Sequence, residues 1–301
     1  MALVDLLIEV TGKENVLLNE NMSNHCSFKT GGNADYFITP ENHMELAKVI
    51  SILRDESVPV IVVGNGSNLL IRDKGIRGAV IHLGKHFADI EVKGTEIIVG
   101  AGAMLSQAAG MAMENSLTGF EFAAGIPGSF GGAVFMNAGA YGGEIKHVLK
   151  EVTVLTLDMQ VKTLSAKKLQ LGYRTSRVAV DGHIVLSGKI NLNHGDKEEI
   201  KALMADFNER RRDKQPLNYP SAGSTFKRPE GYFAGKLIED SGLKGYTVGG
   251  AMVSQKHAGF VVNTGDATTA DILGVIEHCK EVIYKKYGIE LQCEVRILGE
   301  E

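Results

Sequence analysis

"GIPGSFGGAVFMNAGAYGG" (Gly125–Gly143) places seven glycines in nineteen residues, with no charged side chain until Glu144. A glycine inside an element is destabilising by roughly 0.5–1 kcal/mol relative to alanine, so seven in one stretch ask for a reason. A chain of tight turns in a strand-rich domain is one reading. The other is a loop wrapped closely around a large flat ligand, where every Cβ would hold the backbone away.

The composition of the whole chain narrows the setting. With 301 residues, 44% of them apolar, the chain is long enough for two or three domains with their own cores. Its net charge of −4 comes from interspersed acidic and basic residues without a basic stripe, which excludes nucleic acid as an expected partner. "MALVDLLIEVTGKENV" at the N-terminus carries Asp5 and Glu9 inside its apolar stretch, and no segment approaches about 18 continuous apolar residues. Neither export nor membrane insertion is expected, and the location expected is cytoplasmic. Cys26, Cys279 and Cys293 are widely spaced, form no C-x-x-C pair and have no histidine at ligand spacing, as expected of reduced thiols without a structural metal.

Along the chain, "ENHMELAKVISILRDES" sets Met44, Ala47, Ile50 and Leu53 at helical spacing, and "PVIVVG" after it reads as a buried strand. "GAVIHL" and "EIIVG" are further short strands, so the first third is α/β. "MLSQAAGMAMENSL" predicts a helix leading into the glycine stretch, and "EVTVLTLD" and "HIVLSGKINL" predict strands beyond it. Asp196 and Glu199 form a capping pair for a helix that must end before Pro216, and a domain boundary is plausible there. The last part holds a turn-rich "YPSAGSTFKRPEG", a short helix at "FAGKLIED", the strand "GFVVN", a helix from Thr268 to Tyr287 stopped by Gly288, and a closing strand "IELQCEVRIL".

"GNGSN" (Gly64–Asn68) does not open a helix, since Leu69, Leu70 and Ile71 continue as a strand, and the Rossmann spacing of three glycines is absent. Strand, G-x-G-S-N, strand instead offers successive backbone N–H groups and two small polar side chains around a concavity suited to pyrophosphate. A plain β-turn is the alternative. In "IELQCEVRI" strand alternation puts Ile289, Leu291, Cys293, Val295 and Ile297 on one face and Glu290, Gln292, Glu294 and Arg296 on the other. That second face is either solvated or turned to a polar cleft.

Six segments, "VVGNGSNLLIRD", "GIPGSFGGAVFMNAGAYGGE", "YRTS", "AGSTFKRP", "AGKLIEDSGLKG" and "CEVRILGE", occur in an order and spacing that resemble the UDP-N-acetylenolpyruvoylglucosamine reductase (MurB) family. The resemblance runs from about residue 20 to the C-terminus. It implies an α+β protein: an FAD-binding fold of the vanillyl-alcohol-oxidase (PCMH) type in two subdomains, residues 1–85 and 86–205, followed by a C-terminal α+β substrate-binding domain, residues 206–301. The flat ligand would then be FAD, held noncovalently because neither glycine segment contains histidine or cysteine. Gly64, Asn65, Gly66, Ser67 and Asn68 would cradle its pyrophosphate. Gly125, Ile126, Pro127, Gly128 and Ser129, with Asn137 and Gly139, would line the flavin and its ribityl chain.

The same resemblance implies a reaction. NADPH would reduce FAD, and the reduced flavin would deliver a hydride from N5 to the CH₂ of UDP-N-acetylglucosamine enolpyruvate, giving UDP-N-acetylmuramate for peptidoglycan synthesis. Arg174 and Glu294, the latter protonated or hydrogen-bonded in a cationic site, would stabilise the enolate, and Ser224 would protonate the α-carbon. Without the family, Ser224 reads as a turn former, Arg174 as a surface charge and Glu294 as part of an outer face. The substrate diphosphate calls for arginines; among Arg210, Arg211 and Arg212 family position favours Arg211, together with Arg296. A helix end favoured by its dipole is the bland reading of that cluster. Tyr173, Lys227, Arg228, Lys236 and His257 are further substrate-binding candidates. Only fifty residues separate Arg174 from Ser224, which resembles the shorter form of the family lacking a tyrosine-bearing lid loop; Tyr141, Tyr173 and Tyr219 are not ranked as substitutes. A monomer is expected. A flavin oxidase of the same fold and a non-catalytic FAD- or nucleotide-sugar-binding module remain the rival readings.

Overall fold

The computed structural model describes residues 2–301. Two compact units are present, each discontinuous in sequence. The first runs to Leu18 and takes in Tyr36–Asn65 and Gly78–Arg210; the second consists of Asn19–Asp35, Gly66–Arg77 and Arg211–Glu301.

The first unit is built on a five-stranded antiparallel sheet in the order Val161–Ser165, Leu149–Leu155, Ile184–Asn191, Glu96–Gly100, Ile90–Lys93. Alternation along the strands buries Ile97 and Val99 in one and Val152 and Val154 in another, as a sheet with one face on a core requires. Val60–Val63 pairs in parallel with the later part of the strand Ile76–His82. The helix His43–Asp55 is capped by Asn42, whose Oδ1 accepts from the amides of Met44 and Glu45 at 3.0 Å. Its buried stripe is Leu46, Val49, Ile50 and Leu53, which joins Ile81, Ile97 and Val99 in one core. Met44, expected on that stripe, is 69% exposed. It stands two residues before Leu46, a spacing that turns it off the buried face.

The glycine stretch is not one loop. Ala133 and Val134 are buried in a short helix, Phe130–Phe135, inside it, and Phe130 is fully buried. Part of its glycine content serves contacts within the chain. A Cβ on Gly139 would lie 2.5 Å from the Gly143 carbonyl oxygen, and one on Gly143 would lie 2.3 Å from the Phe122 ring.

In the second unit, Thr247–Val248, Ala251–Val253 and Val261–Asn263 form an antiparallel meander, and the helix Thr269–Tyr287 packs on it. That helix begins one residue after the expected Thr268, which caps it, and ends at Tyr287 as its sequence predicts. Thr268 Oγ1 accepts from the Asp271 amide at 3.1 Å while Asp271 Oδ2 accepts from the Thr268 amide at 2.9 Å, and Gly288 ends the helix at φ 68°. Burial pushes the Cys279 thiol on its inner face up to about 12, as suits a side chain that serves packing.

The closing strand is shorter than expected: only Arg296–Leu298 is strand, paired in parallel with Leu69–Ile71, while Cys293 makes an isolated antiparallel bridge to Phe226. Two partners of opposite direction prevent one continuous ladder from Ile289. Leu291 and Val295 are nevertheless buried and Gln292 and Arg296 exposed, so the alternation survives without the ladder. No helix among the described residues is long and apolar enough to cross a membrane.

Gly143→Ala tests the tight packing of the glycine stretch. Its φ is not positive, so alanine adds only the Cβ that meets Phe122, and thermal unfolding should report a loss of about 1–3 kcal/mol. An unchanged melting temperature would show that Phe122 can yield.

Candidate active site

Val60–Val63 ends at Gly64, and a Cβ there would lie 2.1 Å from Ser129 Oγ. The next residue, Asn65, donates from Nδ2 to the Pro127 carbonyl at 2.5 Å. Two glycine-rich segments that are 62 residues apart at this bond are thus laid directly against each other. Beneath them, the Leu105 amide donates to the Gly128 carbonyl at 3.0 Å and the Phe130 amide to Ala103 at 2.8 Å, while the Ile126 amide closes a turn onto Ala123 at 3.1 Å. Gly125, Ile126 and Gly128 are partly buried, Ser129 is buried and Pro127 is exposed.

In the second unit Gly66 has φ 63°, and a Cβ on it would stand 2.0 Å from the His25 carbonyl oxygen. Its own carbonyl accepts from the Ser27 amide at 3.2 Å. Ser67 is half-buried. Asn68 is tied to the closing segment twice: its Nδ2 donates to the Glu294 carbonyl at 3.1 Å, and its carbonyl accepts from the Arg296 amide at 3.0 Å.

Glu294 is also bonded to the serine segment, because its amide donates to the Thr225 carbonyl at 2.8 Å. Thr225 is wholly buried, donates from its amide to Gly259 at 2.8 Å, and accepts at Oγ1 from Val261 at 3.0 Å. Ser224 is exposed and follows Gly223, which has φ 77°. The second unit therefore brings Asn68, Ser224 and Glu294 into neighbouring, cross-bonded backbone. Arg174 belongs to the first unit.

Arg174 and Tyr173 occupy the tip of a tight turn whose stems, Gly172 and Thr175, exchange main-chain bonds of 3.1 and 3.4 Å. Arg174 has φ 55°, a left-handed conformation that costs an ordinary residue roughly 1–2 kcal/mol. Its guanidinium carbon lies 5.0 Å from the centroid of the half-exposed Tyr173 ring. Asn137, completely buried, sits behind this turn, and its amide donates to Gly172 and Glu144.

Among the remaining candidates, Arg211 is partly buried on the helix Lys197–Lys214, and its neighbour Arg210 is already paired to Asp206 at 2.7 Å. Arg296 is exposed on its short strand. Lys227 donates from its amide to Gln292 at 2.8 Å, and Arg228 lies 4.3 Å from the Phe233 ring centroid. Lys236 is bonded to Asp240, which raises its pKa. Burial pushes His257 below its usual value, and its Nδ1 accepts from the Gly259 amide at 3.1 Å, so the neutral ring carries its proton on Nε2. Among the described residues no group of three or more His, Cys, Asp or Glu is arranged to hold a metal ion.

Residues 34–165 match a family model described as an FAD binding domain, and residues 215–298 match one for the C-terminal domain of UDP-N-acetylenolpyruvoylglucosamine reductase. The protein of that name from Caldanaerobacter subterraneus is 51% identical over 299 residues, covering 99% of each chain. Its counterpart from Agathobacter rectalis is 52% identical, covering 95% of this chain and 94% of its own. The chain belongs to the UDP-N-acetylenolpyruvoylglucosamine reductase family. The crystal structure of the Thermus caldophilus reductase superposes with a TM-score of 0.80 at 35% identity, covering 94% of this chain and 97% of the other. The protein is accordingly a flavin-dependent oxidoreductase with FAD as its cofactor.

The residues present fit such a group. At Gly66 the backbone can pass the His25 carbonyl only without a Cβ, and beside it the Ser27 hydroxyl is buried with no hydrogen-bond partner. An unsatisfied buried hydroxyl is costly unless something outside the chain accepts from it. Ser27 had no signal in the sequence, where it is one small polar residue in "NHCSFKTGG". Asn137 and Asn68 were legible as polar residues near glycines, but not as brackets for other segments.

With no histidine or cysteine in either glycine segment, all of the flavin should pass into the supernatant when the yellow holoprotein is precipitated with acid. Colour retained on the washed precipitate would mean a covalent link elsewhere.

Proposed function

We propose that the protein reduces UDP-N-acetylglucosamine enolpyruvate to UDP-N-acetylmuramate with NADPH as electron donor, as a cytoplasmic monomer that acts on neither nucleic acid nor membrane. Residues 1–85 and 86–205 are the two parts of the FAD-binding portion, and residues 206–301 the substrate-binding portion. When bound, FAD supplies the redox chemistry by accepting a hydride from NADPH and passing it to the enolpyruvyl CH₂.

The chain's own groups manage charge and protons. Hydride addition leaves negative charge spread into the substrate carboxylate as an enolate. Arg174 meets that charge with its guanidinium and Glu294 with a hydrogen bond, each well-placed donor typically contributing about 3–4 kcal/mol. Ser224 then gives its hydroxyl proton to the α-carbon, a transfer that a weak acid can make only to a strongly basic centre, and is re-protonated through water or a neighbour. Gly64, Asn65, Gly66, Ser67 and Asn68 hold the pyrophosphate of FAD, and Gly125–Ser129 with Gly139 line the flavin. Arg211 and Arg296 take the substrate diphosphate; Tyr173, Lys227, Arg228, Lys236 and His257 contact the rest of the sugar nucleotide.

The observation that carries this reading is the backbone around Ser224. An exposed hydroxyl is presented by a residue whose successor, Thr225, is wholly buried and bonded to Gly259, Val261 and Glu294. A surface turn former needs no such anchorage, whereas a proton donor must be held to a fraction of an ångström.

Ser224→Ala should leave FAD content and flavin reduction by NADPH intact, while reoxidation of the reduced flavin by the enolpyruvyl substrate should slow by at least ~10²-fold in stopped flow. Ser224→Cys should recover part of the rate, since a thiol can also donate. Reoxidation of Ser224→Ala at the wild-type rate would reduce Ser224 to a turn residue. Arg211→Met and Arg296→Met should mainly raise the KM for the sugar nucleotide. A large loss in flavin reduction by NADPH would contradict that assignment.

A further inference from the structure

We infer that Asn137 is a positioning residue for Arg174, acting through the Gly172 carbonyl rather than through the cofactor; the inference rests on the catalytic role proposed for Arg174. Every polar group of the Asn137 side chain is used by the chain. Nδ2 donates to Gly172 O at 2.9 Å and to Glu144 Oε2 at 2.7 Å, and Oδ1 accepts from the Lys146 amide at 2.9 Å. With the residue wholly buried, its amide has no hydrogen left for a flavin.

What these bonds grip is the turn that carries Arg174. The two stem residues hold each other by bonds of 3.1 and 3.4 Å, the longer being the one that Gly172 O accepts from Thr175. Asn137 gives that same carbonyl its shorter bond, at 2.9 Å. On the opposite stem, Ser176 Oγ donates to the Phe135 carbonyl at 2.7 Å. The segment Phe135–Asn137 therefore fastens the turn at both ends, with Arg174 at its tip in a left-handed conformation that a free arginine abandons. Asn137 itself has φ 46°, a region that asparagine tolerates better than most residues. Glu144, paired with Lys146 at 2.9 Å, holds the other amide hydrogen and stops the Asn137 side chain from turning.

The test uses the FAD-loaded protein and both half-reactions in stopped flow. Asn137→Asp keeps the volume and the acceptor but cannot donate to Gly172 as a carboxylate. Flavin reduction by NADPH should stay within about twofold of wild type. Reoxidation by the enolpyruvyl substrate should slow by about 10²-fold, the size of effect expected when a charged group is misplaced by an ångström. Glu144→Ala, at a partly exposed position that leaves the buried asparagine in place, should give a smaller slowing of the same half-reaction and serves if Asn137→Asp does not hold FAD. Both effects should vanish on an Arg174→Ala background, because a bracket that works through Arg174 has nothing left to position. A merely structural asparagine would slow reoxidation by the same factor with or without Arg174, and that result overturns the inference. So does wild-type reoxidation in Asn137→Asp beside an impaired Arg174→Ala. Wild-type reoxidation in Arg174→Ala itself would overturn the role of Arg174 as well as its bracket.

Discussion

No side chain can stand at Gly64, because the Ser129 hydroxyl already occupies the place of its Cβ, 2.1 Å away. That close approach sets one glycine-rich segment against another. Main chain brought so near to main chain carries polar groups that must find partners. The Pro127 carbonyl takes a hydrogen of Asn65, the Gly128 carbonyl accepts from the Leu105 amide, and the Phe130 amide donates to Ala103 in the layer beneath. The result is a run of main chain packed directly on main chain, the segment proposed above to hold FAD.

The side chains proposed to be catalytic follow a second rule: each projects from backbone that is over-determined. Ser224 is exposed, yet the residue after it is fixed at amide, hydroxyl and carbonyl. Glu294 is held by its own amide to Thr225 and by its carbonyl to Asn68. Arg174 stands in an unfavourable conformation at the tip of a turn fastened at both stems. Rigid support of this kind lowers the entropy lost on reaching the reacting geometry, which is how a scaffold contributes to a rate without touching the substrate.

Asparagine is the residue that does much of this fastening. Its amide can donate twice and accept at the same time, so one buried side chain can join three segments. Asn137 joins Gly172, Glu144 and Lys146; Asn68 joins Glu294 by its side chain and Arg296 by its carbonyl. The amide of Asn137 is wholly engaged by the chain, and Asn68, proposed above to hold the FAD pyrophosphate, also gives a hydrogen to the carbonyl of Glu294, a proposed catalytic residue.

The sequence by itself determined the local elements and the family. The end of the helix Thr269–Tyr287 could be read from Gly288 because a left-handed stop is a contact between near neighbours in the chain. The six ordered segments pointed to the flavoenzyme family, and the catalytic roles proposed for Arg174, Ser224 and Glu294 rest on that resemblance. Tertiary structure decided what each segment leans on. It shortened the strand expected from Ile289, because Cys293 and Arg296–Leu298 pair with different partners in opposite directions. It also turned Met44 to solvent, folded part of the glycine stretch into a helix, left the Ser27 hydroxyl buried and unpaired, and drew Asn137 to the carbonyl of Gly172. Periodicity and capping are written in residues a few positions apart. The partner of a carbonyl 35 residues away is set only when the whole core closes around it.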